Sequence, residues 1–274
     1  MVVALVLVSA FLHALWNALL RRERDKDRAL VVAVAVAAAL SAAVTGASAL
    51  ASDAPVLPTA GALAWSLISG VAELGYFYSL SRALDRGPLG SVYTVSRGGA
   101  ILVAWPLSVA LYGEPLAARS VAGSALVLVG VACAGGGLAL PRAALAWSIA
   151  CAVAIAGYHL TYKAALAAGG SPQAVFAISL GLATLINIVR LGDAGRRAAI
   201  GLASWRIALI GAILAASFLL LLDALTSGGT AVVLTTRNTS VLFALGLAAL
   251  IGERPRPAQV AGAILVGAGA LMMA

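Results

Sequence analysis

Glu73 stands in the middle of an apolar stretch, SLISGVAELGYFYSL, where nothing nearby in sequence solvates a carboxylate. A carboxyl group so placed can load and release a proton or hold a cation, and perturbed ionisable groups of this kind concentrate at functional sites. A structural role, neutral or paired with Arg97, is the alternative. Tyr76 follows at i+3 and Phe77 at i+4, on the same helical face as Glu73. Arg97 and Arg237 interrupt two further apolar stretches, each about seven residues from its start. A guanidinium grips a carboxylate through two parallel hydrogen bonds, so both arginines are candidates for a substrate carboxylate. Ion pairs Glu73–Arg97 and Asp223–Arg237, or snorkelling to the interface, are the structural readings. His13, Trp16 and Asn17, at i, i+3 and i+4, share one helical face, and Tyr158, His159 and Tyr162 cluster in the same way. With Tyr76, Tyr93, Arg97, Arg237 and Asn238, these two faces form a candidate substrate cavity. For a single His or Asn the competing reading is interhelical hydrogen bonding. Lys163 is read as snorkelling.

The elements that must position these groups follow from composition. Of 274 residues 62% are hydrophobic and only 10% charged, with a mean hydropathy of +1.05. A soluble domain carries about 25% charged residues, so this chain cannot clothe a surface in water. A helix crosses the bilayer in about 20 residues, which allows roughly ten crossings and no large extramembrane domain. The apolar runs are 1–20, 29–51, 59–84, 91–112, 119–140, 143–168, 172–191, 205–226, 230–251 and 258–274. They are too long, and alternate too little, for barrel strands, so the fold class is an all-α membrane protein. The first run lacks a basic leader and is read as a retained span. Fourteen of the 18 Lys and Arg residues fall in odd-numbered connections and one, Arg119, in an even one. The positive-inside rule then places the odd connections in the cytoplasm and both termini outside.

The net charge of +8 is thus a topology signal. In the run RRERDKDR from Arg21 acids alternate with bases, which argues against nucleic-acid binding. Cys133 and Cys151 lie inside apolar runs and suggest no disulfide framework. No Walker loop, HExxH, GxSxG elbow or clustered carboxylates occur, so no enzyme activity, cofactor or metal is expected.

GEPLAARSVAGSALVLVG, from Gly113, recurs 139 residues later as GERPRPAQVAGAILVGAG, from Gly252. Arg97 aligns with Arg237, Trp65 with Trp205, and Trp16, Asn17 and Arg21 more weakly with Tyr158, His159 and Lys163. The chain therefore divides into residues 1–140 and 141–274, with five spans each. Five is odd, so the second half enters from the opposite face, and inverted repeats of this kind are characteristic of alternating-access carriers. Gly130 with Ala134, and Ala263 with Gly267, give small-residue spacing for close packing of the fifth and tenth spans.

FLHALWNALLRR, SVYTVSRGG, RNTSVLF and the paired GE turns resemble the drug/metabolite transporter superfamily, in its ten-span EamA-like branch. The resemblance implies two inverted five-helix repeats in the cell's inner membrane. It also implies export of a small metabolite such as an amino acid or a related compound, often against proton entry; the candidate proton-coupling residue, Glu73, follows from its place in mid-span. Similar sequences commonly carry Glu after the ninth-span arginine, where this chain has Asn238, and often His where it has Glu73. An uncoupled facilitator or uptake carrier is the alternative, and a membrane-embedded enzyme acting on lipid head groups a distant one. The expected partners are a small-molecule substrate, protons and the lipid bilayer, with the chain acting as monomer or homodimer.

Overall fold

The computed structural model describes residues 2–51, 59–113, 117–135, 140–227, 233 and 236–273. Their regular structure is helical. In chain order the described helices are α1 (Val2–Arg21), α2 (Lys26–Ala51), α3 (Ala60–Arg86), α4 (Leu89–Tyr112) and α5 (Ala118–Gly135). The second half holds α6 (Arg142–Ala167), α7 (Pro172–Gly201), α8 (Trp205–Ser227), α9 (Ser240–Leu250) and α10 (Pro257–Met273). Seven of them, α1 to α4 and α6 to α8, are long and apolar enough to cross a membrane, whereas α5 and α10 are apolar but shorter. Exposed positions carry Val71, Leu128, Leu185 and Val189, while Ser9, Glu73, Arg97 and Arg237 are buried. That inside-out distribution suits a surface solvated by lipid, and the protein is an integral membrane protein.

The helices follow the apolar runs closely, with one difference in α7. Its expected end at residue 191 meets a break at Gly192, whose φ of 61° only glycine adopts without strain, and the chain then continues helical to Gly201. Parts of the expected fifth and ninth spans, residues 136–139, 230–232 and 234–235, lie outside the described residues.

Small residues set the closest packing. α5 and α10 cross antiparallel: a Cβ on Gly123 would stand 2.6 Å from the Gly269 carbonyl oxygen, and one on Gly130 2.7 Å from that of Gly262. The approach is reciprocal, with Gly262 facing the Gly130 carbonyl and Gly269 that of Gly123. Gly130 and Ala134 thus face α10, whereas a Cβ on Gly267 would meet Leu242 of α9. The contact residues in α10 are Gly262 and Gly269, because a near-antiparallel crossing returns to the same face every two turns, about seven residues. Elsewhere α3 packs on α6 and α7, α8 on α1 and α2, α4 on α6, α9 on α1, and α2 on α7.

The connections separate to two ends. At one, Thr59 caps α3 by accepting from the Ala62 amide and donates to the Ala168 carbonyl, joining the second and sixth connections. At the other, Arg21 pairs with Glu253 at 3.0 Å, Lys26 with Asp85 at 3.1 Å, and Arg190 with Asp27 at 2.8 Å. Glu253 Oε1 also accepts from the amide of Leu89, the first residue of α4, where Pro88 offers no capping side chain. A carboxylate at a helix N-terminus satisfies an orphan donor and meets the positive end of the helix dipole. Both GE turns need their glycine, since Gly113 and Gly252 have φ of 66° and 92°; Glu114 lies outside the described residues.

Candidate functional site

Glu73 is placed by α3 and held by α6 and α7. One turn before it, Gly70 brings α3 so close to α7 that a Cβ there would lie 2.6 Å from the Ser179 carbonyl oxygen. Glu73, on the same face at i+3, thereby reaches Ser179, whose hydroxyl donates to Oε2 at 2.6 Å. Tyr162, from α6, donates its hydroxyl to Oε1 and lies 3.1 Å from Ser179 Oγ. The carboxylate is fully buried. This corrects the expected Glu73–Arg97 ion pair: hydroxyls from two other helices satisfy Glu73, and no carboxylate lies within ion-pair distance of Arg97 among the described residues.

Arg237 occupies a helical turn just before α9 and is 1% exposed. Its Nη1 donates to Ser9 Oγ and to the Ser217 carbonyl at 2.9 Å, and its Nη2 meets His13 Nδ1 at 2.9 Å. A guanidinium only donates, so Nδ1 accepts and the imidazole proton resides on Nε2, which faces Tyr76 Oη at 3.4 Å. These neutral groups take the place of the expected partner Asp223, which is exposed on α8. Asn17 donates back to the His13 carbonyl at 2.7 Å, and Trp16 packs edge-on against His13 with centroids 5.3 Å apart.

Arg97 is 2% exposed, with its guanidinium 5.7 Å from the Tyr93 ring centroid. Arg97 and Arg237 are within electrostatic reach of each other and of Tyr76, Tyr93 and Tyr158. Tyr158 is the hub: its ring lies 5.5 Å from Tyr76, 5.5 Å from Tyr162, 4.5 Å from His159 and 5.8 Å from Phe218. The structure thus brings the polar faces of α1 and α6 together around the two arginines, with Glu73 beyond Tyr162. His159, Asn238 and Lys163 are half-buried.

Sequence reasoning missed Ser9, Ser179 and Phe218. Ser9 precedes His13 by four residues on the same face, a signal that was present in the sequence. Ser179 had none, because a single serine in an apolar run points nowhere until α3 and α7 are packed. Two clefts, of about 600 and 500 Å³, open among the odd-numbered connections, and neither is lined by Glu73, Arg97 or Arg237. Among the described residues no group of three or more His, Cys, Asp or Glu is placed to hold a metal ion.

No curated protein matches this sequence. A solved crystal structure superposes with a TM-score of 0.64 at 19% identity, covering 99% of this chain and 94% of that one, which shows a common fold. Residues 142–274 match the model of the EamA-like transporter family, so the second half of the chain is similar to that family.

Proposed function

We propose that this protein is a secondary transporter that exports a small metabolite, an amino-acid-like or related compound, by alternating access, coupled to protons through Glu73. The observation that carries the reading is the way helices pair. Three of the extensive contacts have counterparts under exchange of the two halves: α3 on α6 with α8 on α1, α3 on α7 with α8 on α2, and α4 on α6 with α9 on α1. Gly123 and Gly130 meet Gly269 and Gly262, which are their own equivalents 139 residues on, in crossed order. A crossed, reciprocal contact is what a two-fold axis between inverted halves requires. Two repeats so related can exchange conformations, opening the central cluster first to one face and then to the other. The aligned Trp65 and Trp205, both exposed, stand near opposite ends of the bundle where aromatic anchors belong.

Ten spans in two inverted sets of five, with the basic, odd-numbered end in the cytoplasm and both termini outside, complete the topology. One chain supplies both halves of the pathway, so a monomer suffices. Glu73 is the carboxyl group at the centre of the bundle, and Tyr162 and Ser179 give it two partners that can each donate or accept as its protonation changes. In proteoliposomes, efflux should accelerate when an imposed pH gradient drives protons inward, and Glu73→Gln should abolish that acceleration. Wild-type flux indifferent to the gradient, with Glu73→Gln flux unaltered, would leave an uncoupled carrier, the reading favoured by the complete burial of Glu73.

A further inference from the structure

Buried polar atoms without a partner are rare in folded proteins, and each calls for a ligand, a water or a reason. Four of those found here surround one place. Arg97 Nη2, Arg237 Nε, Tyr93 Oη and Tyr158 Oη are all buried and lack a hydrogen-bond acceptor among the described residues. All four carry a hydrogen to give. The nearby unpartnered atoms able to accept are fewer: Asn17 Oδ1, and His159 Nε2 when its ring proton is on Nδ1. Two full positive charges accompany these donors, each almost wholly buried and neither with a carboxylate within ion-pair distance among the described residues. Elsewhere the protein places carboxylates beside its partly buried cations, as in Arg21 with Glu253 and Lys26 with Asp85.

The carboxylate that might have welcomed a cationic ligand is already engaged, since both oxygens of Glu73 receive hydroxyls from Tyr162 and Ser179. From this imbalance we infer that the transported compound is an oxyanion, bearing a carboxylate or phosphate group and no obligatory ammonium, and that Arg97 and Arg237 bind its charge with Tyr93 and Tyr158 donating alongside. This rests on the transport site proposed above and narrows its substrate. The chemistry is that of planar guanidinium forks, which match carboxylate and phosphate oxygens pairwise, in surroundings where water does not compete. A zwitterion would bring an ammonium group into a space that already holds two cations, and the cost of like charges at low dielectric rejects it.

The test is binding, which needs no transport. Purified full-length protein in detergent is heated in the presence of malonate, inorganic phosphate, N-acetylalanine, alanine or choline at equal ionic strength. A ligand of the folded state raises the transition by mass action. At least one of the three anions should raise it, with alanine and choline without effect. Arg97→Gln and Arg237→Gln should each weaken that anion at least tenfold. Arg97→Lys and Arg237→Lys, which keep the charge and lose the fork, should weaken it less and serve where a glutamine variant does not fold. Arg190→Gln, at the bundle end, should change nothing. The inference is overturned if choline or alanine stabilises and the anions do not, if no anion stabilises, or if the anion effect survives all four central substitutions. Anion binding without flux of the bound anion in proteoliposomes would instead sink the transport reading and leave the site standing.

Discussion

The centre of the bundle and its odd-numbered end hold the same kinds of side chain in opposite arrangements. At the end, Arg21, Lys26 and Arg190 each meet a carboxylate from a different segment, and Glu253 also caps α4. At the centre, Arg97 and Arg237 are more deeply buried, yet lean on aromatic rings, hydroxyls, a carbonyl and a neutral imidazole. The costlier charges are thus the ones without opposite charges. Stability alone would arrange matters the other way round, since an isolated buried ion costs several kcal/mol that a partner would offset in part. The end pairs stitch the connections together, and the central cations are the ones proposed above to receive an anion.

Substitutions that exchange these roles should separate the two regions. Arg97→Ala should lower flux of the bound anion by about 100-fold, roughly 2.7 kcal/mol, without lowering the unfolding midpoint, because it removes a buried charge that has no counter-charge. A fall in midpoint as large as the fall in flux would make Arg97 a structural residue. Glu253→Ala should do the reverse. Losing a helix cap and a partly buried pair costs about 1–2 kcal/mol in denaturant titrations, while flux per folded molecule stays within about twofold. A smaller effect belongs to Arg190→Ala. Its bidentate pair with Asp27 is partly exposed, and a double-mutant cycle should give a coupling below about 1 kcal/mol. The least effect should come from salt. Raising ionic strength from about 0.1 to 1 M shortens the screening length from about 10 to 3 Å, which should reduce the Arg190–Asp27 coupling and leave the midpoint change caused by Arg97→Ala unmoved.

A second contrast lies within the repeat itself. Arg97 and Arg237 are equivalent by alignment, but only Arg237 hydrogen-bonds a histidine and two serines among the described residues. Glu73, Tyr162 and Ser179 likewise form a group in which α3, α6 and α7 each contribute once. Helix contacts and glycine crossings keep the symmetry while the polar residues abandon it. On the transport reading proposed above, such a frame would rock between two similar shapes, and the asymmetric groups would give the pathway a direction-specific chemistry.

Much of the frame was legible in the chain because the bilayer leaves few choices. Apolar runs of about 20 residues in hydrocarbon must be helices, so length and composition alone delimited α1 to α4, α6, α8 and α10 to within a few residues. The duplicated GE segments located the fifth and tenth helices, and their small residues marked both for close packing, although that they pack on each other only the structure shows. Charge in the apolar runs singled out Glu73, Arg97 and Arg237. Partner choice was a different matter. Depth along the membrane normal made Glu73–Arg97 and Asp223–Arg237 look like pairs, but depth says nothing about which way around its axis each helix turns. That rotation is set by packing, by Gly70 seated on α7 and by α5 against α10. Only the assembled bundle decided that Tyr162 and Ser179 take Glu73, that His13 takes Arg237, and which buried donors are left over. Periodicity is a property of one helix, whereas the satisfaction of a buried charge is a property of all the helices that surround it.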